Sequence, residues 1–99
     1  MVLSGCFGPK PVIVHYTLQA PQAADQPHHL LVTVQNDSGG EGQAEVTARL
    51  QVQATDQTVA EASQTIDLKA HETLTMTMPM QPSNPGPYQV SLEVHAPPQ

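Results

Sequence analysis

The run with the most chemical promise in this chain is Met76-Thr77-Met78-Pro79-Met80, with His71 a short way upstream. Thioethers and imidazoles are soft and borderline donors that suit Cu(I), so His71, Met76, Met78 and Met80 form a candidate metal set. The same residues have a second reading. Met76 and Met78 alternate with Thr75 and Thr77 and share parity with Leu74, and unbranched thioethers fill irregular apolar gaps well. Exposure separates the two: a metal carrier must present its methionines, whereas a packed domain buries them.

The other reactive side chains form no recognisable constellation. His15, His28, His29 and His95 lack the His-x₃₋₅-His or His-Glu-x-x-His spacing of a zinc site. The nine carboxylates are scattered, and no Asp-x-Asp-x-Asp-Gly loop gathers them for calcium. There is no nucleophile elbow, phosphate-cradling glycine loop or dinucleotide fingerprint. The expectation is a non-catalytic protein with no cofactor. Asn36-Asp37-Ser38 has the form of a glycosylation sequon, but Asn and Asp are also turn formers, and that structural reading is the stronger.

Charge narrows the partners. The net charge is −6, and Lys10, Arg49 and Lys69 are the only fixed cations. Nucleic-acid binding needs several phosphates neutralised from one basic face, and three separated cations do not build one. The folded body is an equally poor match for an anionic membrane surface. Charged residues make up 12% of the chain, so the polar surface falls to Gln, Thr and Ser. Such usage is common in β-rich envelope and secreted modules.

Cys6 is the only cysteine, so no internal disulfide staples the domain. Leu3-Ser4-Gly5-Cys6 fits the bacterial lipobox, in which an aliphatic and two small residues precede the cysteine that takes a diacylglyceryl group. A signal peptide also needs a basic segment and an apolar stretch of roughly 7–15 residues, and only Met1 and Val2 precede Leu3. Lipidation at Cys6 is therefore expected of a longer precursor, with membrane attachment through that anchor alone. Residues 1–11 read as a tail and tether, 12–96 as the folded domain, and 97–99 as a second tail.

The elements between these tails show the period-2 alternation of half-buried strands. Ala44, Val46, Ala48, Leu50, Val52 and Ala54 share one face of a strand over 44–54. Val12, Val14, Tyr16 and Leu18 are expected to line the inner face of a first strand, opposite Ile13, His15 and Thr17. Leu30, Val32 and Val34 mark a second strand, Leu74, Met76 and Met78 another, and Tyr88, Val90, Leu92 and Val94 the last. Between Thr58 and Leu68 the pattern is weaker, with Ile66 and Leu68 inward and a short edge strand near Val59. Segments 21–27, 36–42, 69–72 and 82–87 carry turn chemistry. Alternation on one face only predicts antiparallel sheets packed in two layers, an all-β sandwich of six to seven strands.

The order VTVQNDSGG, AEVTARLQV, QTIDLKAHETLTMTM and NPGPYQVSLEVHA resembles bacterial cell-adhesion-related (CARDB-like) immunoglobulin-fold modules over roughly residues 12–96. The resemblance implies an immunoglobulin-like antiparallel β-sandwich in the bacterial cell envelope. It also points to Tyr88, just past a Pro-Gly corner, as a tyrosine corner whose phenol ties the connecting loop. Modules of this family often add one more strand after the last, so an open sheet edge and a strand-edge oligomer are further expectations. The function expected from the whole is a non-catalytic interaction or spacer module, with a protein or glycan as partner. The alternative is a periplasmic copper-binding protein using the Met/His set.

Overall fold

The computed structural model of the chain describes residues 8–23 and 25–95. It is all-β: β1 (Pro11–Gln19), β2 (His28–Asn36), β3 (Gly42–Val52), β4 (Thr58–Leu68), β5 (Thr73–Met80) and β6 (Tyr88–His95). Two antiparallel sheets of three strands each, ordered β1-β2-β5 and β4-β3-β6, form a small sandwich. β2 and β3 are the central strands, and their inner faces dominate the core. Leu30, Val32 and Val34 from β2 and Ala44, Val46, Ala48 and Leu50 from β3 are fully excluded from solvent. They meet Val59 and Leu68 of β4 and Met76, Met78 and Met80 of β5. With few rings available, burial of these aliphatic and thioether groups supplies the main driving force.

The alternation in β2, β5 and β6 holds as predicted, but three segments depart from it. In β1 the pairing with β2 slips between Ile13 and His15, leaving Val14 as a bulge. A bulge reverses the parity of everything beyond it. Ile13, Tyr16 and Leu18 thus oppose the inward-facing Val34, Val32 and Leu30, while Val12 opposes Gln35. The expected inner row of Val12, Val14, Tyr16 and Leu18 is not formed. Val12, Val14 and Tyr16 remain 45%, 50% and 48% exposed.

β4 is an eleven-residue strand rather than a short edge piece near Val59. Its inner face is built largely from Ala60, Ala62 and Gln64, small or polar groups that blur the alternation, and Val59 sits at a second register shift against β3. β3 stops at Val52, two residues before the expected end. Val52's carbonyl accepts from the Thr55 and Asp56 amides at 3.3 and 2.8 Å, so the chain turns and leaves Ala54 exposed.

Ahead of Val12, residues 8–11 are held against the 36–42 turn. Lys10 N donates to Asn36 Oδ1 at 2.9 Å, Asp37 N to the Lys10 carbonyl at 2.9 Å, and Ser38 Oγ to the Gly8 carbonyl at 3.0 Å. Pro9 lies so close to Gly42 that a β-carbon there would sit 2.9 Å from its ring.

Asn36 is the hub of this end. Its side chain is fully buried, and its amide donates to the Gly40 carbonyl at 2.8 Å and the Lys69 carbonyl at 2.9 Å. Its backbone N–H donates to the Glu72 carbonyl at 2.8 Å. A side chain committed in this way belongs to the folded structure, and the sequon reading gives way to the structural one. Replacement by Ala strands these buried groups without partners, at a cost of 1–3 kcal/mol for each left unsatisfied. Asn36→Ala is expected to lower unfolding stability by about 3 kcal/mol in a urea titration. Asn36→Asp is expected to lose more at neutral pH, because a carboxylate would face two carbonyl oxygens.

Candidate functional site

Chemistry along β5 depends on where its side chains point. Its one-sided pairing with β2 sets Met76 opposite Val32 and Met78 opposite Leu30, so the thioethers face the core. Met76, Met78 and Met80 are 7%, 0% and 3% exposed. His71 lies beyond the other end of the strand, exposed in the 69–72 turn with φ at 58°. At about 3.4 Å per residue the four donors spread along the whole length of β5. The structure does not gather them round a point. Among the described residues no group of three or more His, Cys, Asp or Glu side chains is placed to hold a metal ion. Cys6 falls outside the described residues.

Four of the nine carboxylates, Glu45, Glu61, Asp67 and Glu93, lie on the outer face of the β4-β3-β6 sheet. Arg49 in the central strand reaches Glu61 at 2.6 Å and Glu93 at 3.6 Å. His95 and Glu45 meet at 2.9 Å. These solvated cross-strand pairs pin register weakly and carry no reactive geometry. Thr47 is buried on the same sheet and is satisfied by Ser63 Oγ at 2.9 Å.

One concavity lies at the end of the sandwich away from Asn36. It is an open cleft of about 250 Å³ lined by Pro21, Gln26, His28, Asn84, Pro85 and Tyr88, among others. Two proline-bearing connections, 20–27 and 81–87, form its walls. The second is held to the body by Ser83 N, which donates to the Val59 carbonyl at 3.0 Å. Tyr88 is the floor. Its phenol donates to the Asn84 carbonyl at 2.6 Å, closing the loop that leads into β6. Gly86 is required beneath the ring, since a β-carbon there would come within 2.9 Å of it.

His28 completes the cleft. It stands edge-on to Tyr88, with ring centroids 5.4 Å apart and an interplanar angle of 88°, a favourable aromatic arrangement. Its Nδ1 is buried and has no protein partner. Such orphan atoms are rare in native folds and mark strain or a place where something else binds. The sequence reading treated His28 only as one of four histidines without zinc-site spacing and missed this role. Its parity with Leu30, Val32 and Val34 is the signal that puts it on the inner face. The arrangement can bind, through one aromatic edge, an imidazole and several amide and hydroxyl groups.

A second open cleft, of about 270 Å³ and lined by Glu41, Gly42, Asp67, Leu68 and Lys69, lies at the Asn36 end. No helix long and apolar enough to cross a membrane occurs among the described residues. No family model matches the chain, and no curated protein matches it.

Two substitutions probe the cleft. Tyr88→Phe removes only the phenol bond to Asn84 and is expected to cost about 1 kcal/mol in chemical denaturation. His28→Phe keeps the edge contact while deleting the unpaired nitrogen. It is expected to raise stability by about 1 kcal/mol, and a fall of similar size would mean that Nδ1 is paired in solution.

Proposed function

We propose that this chain is a non-catalytic interaction module of the bacterial cell envelope, an immunoglobulin-like sandwich of the CARDB-like kind, lipid-anchored at Cys6 in its precursor. The observation that carries the choice over a copper carrier is the burial of Met76, Met78 and Met80 in the core. The sheet order supports the finer fold reading, since two hairpins, β1-β2 and β3-β4, lie in opposite sheets and are completed by β5 and β6 respectively. The corner at Tyr88 is of the type that sandwich domains use to fix a loop.

In this reading binding occurs at the end formed by 20–27 and 81–87, where rigid strands hold connections bearing proline, amide and hydroxyl groups. The cleft is small, open and free of fixed charge at the residues named above. That chemistry suits a neutral polar ligand, either a saccharide unit or an extended proline-containing segment of a protein. Lipidation supplies the address and the loop end supplies recognition.

The test is a nuclear magnetic resonance titration of the labelled protein with neutral oligosaccharides and proline-containing peptides. Shift changes are expected at His28, Tyr88 and their neighbouring loops, and to vanish in Tyr88→Ala. Changes spread instead over the sheet faces would remove the loop-end reading. A Cu(I) competition assay under reducing conditions, with Cys6→Ser in every sample, tests the alternative. The expected result is no stoichiometric binding; binding that disappears in Met76→Leu/Met78→Leu with the fold intact would reinstate the metal carrier. Radiolabelled fatty acid fed to cells making the precursor should enter the protein and be lost in Cys6→Ser.

A further inference from the structure

A sandwich of two three-stranded sheets has four free strand edges, and here they are not equivalent. On the β4/β5 side, Gln64 Nε2 donates across to the Thr77 carbonyl at 3.1 Å, and Ser83 N is bonded to the Val59 carbonyl at 3.0 Å. β4 also carries Glu61 and Asp67, and β5 carries Pro79. Charges, prolines, bulges and covering side chains are the usual means of blocking an edge. On the β1/β6 side no such hydrogen bond joins the sheets among the described residues. Neither strand buries a single side chain fully, although both have apolar residues on their inner faces. Ile13, Leu18, Val90, Leu92 and Val94 are only partly covered, and Tyr16 is 48% exposed beside them.

β1 carries no charge and no covering hydrogen bond among the described residues, and its one edge device is the bulge at Val14. Its sequence, PVIVHYTLQ, holds no Asp, Glu, Lys or Arg, and its exposed residues include Val12, Val14 and Tyr16. Its one proline stands at the first position, where it removes little pairing capacity. The absence of charge extends over all of β1, β2 and β5, whereas β3, β4 and β6 carry Glu45, Arg49, Glu61, Asp67 and Glu93. For a chain of net charge −6, the β1 flank is where two identical molecules meet with least repulsion.

We propose that β1 is the pairing edge for a second copy of this chain. The two β1 strands lie antiparallel about a twofold axis and join two three-stranded sheets into one of six. An isologous contact of this kind closes on itself and uses up the free edge. The half-covered apolar side chains of β1 and β6 then face those of the second molecule, extending each core across the interface. The inference rests on the fold alone and not on the envelope reading. Val14 and Tyr16 are not among the residues lining the loop-end cleft, so either conclusion can fail without the other.

Sedimentation velocity over a wide concentration range, in reducing buffer so that Cys6 cannot cross-link, is the experiment. The wild type is expected to reach twice its 10.6 kDa mass. Val14→Lys and Tyr16→Lys, both at sites exposed in the single molecule, should each weaken the dimer about tenfold or more, because like charges meet across the new pair. Thr65→Lys, on the outer face of β4, adds the same charge and should leave association unchanged. Far-UV circular dichroism checks the fold of each variant, and having two independent edge variants guards against one unfolding. Hydrogen exchange identifies what covers the edge. Concentration-dependent protection of β1 amides is expected. A monomer with β1 protected would mean that the chain covers its own edge, and a monomer with β1 unprotected that the edge is bare or kept for a different protein. Either monomer overturns the proposal, as does a dimer that survives both lysines or assembly beyond the dimer.

Discussion

One buried primary amide holds this sandwich in its arrangement. Asn36 is the last residue of a central strand, and its side chain has a donor and acceptor geometry that no apolar residue can copy. Through it the segment before β1, the connection from β2 to β3 and the connection from β4 to β5 are hydrogen-bonded to one another. Two of these connections carry the chain from one sheet to the other. Sheet-to-sheet attraction is otherwise apolar and non-directional, and it would tolerate sliding. The Asn36 bonds supply direction. They set how far β2 runs before the crossover, and hence which residues of β3 face Leu30 and Val32.

Sequence reading succeeded where alternation runs unbroken and failed where a bulge, a turn or a small-residue face interrupts it. Strands with one face buried and no bulge keep strict parity, so Ala44 to Leu50 in β3, Leu30 to Val34 in β2 and Leu74 to Met78 in β5 announce themselves. An edge strand is free to bulge, and a single bulge at Val14 sufficed to undo the assignment of Val12 and Val14 while Tyr16 and Leu18 kept theirs. In β4 a small-residue inner face, Ala60 and Ala62, provides shape without a hydropathy signal. The fold class was thus legible from alternation and turn chemistry alone.

The loop-end cleft was far less legible, because it is assembled from residues distant in the chain. Nothing local to His28 shows that it meets Tyr88, sixty positions away, or that its Nδ1 is enclosed. The methionine run shows the opposite case. Its composition suggested ligands, and its parity with Leu74 suggested packing. Where composition and periodicity disagreed, periodicity agreed with the burial found. The reason is physical: a strand fixes the direction of each side chain before any ligand can select it.

The path of the backbone has a mechanical consequence. Pro11 is paired with Asn36, and His95 with Glu45 near the start of β3, so the described chain enters and leaves at the same end of the sandwich. Tension applied between these two points would peel β1 and β6 away one hydrogen bond at a time, instead of loading whole ladders in parallel. Such a geometry resists stretching poorly, and it cannot be threaded end to end as a link in a load-bearing stalk without the chain doubling back. It is well suited to holding something out. A molecule tethered through its first residues leaves the proline-lined end, with His28 and Tyr88, at the greatest reach from the point of attachment.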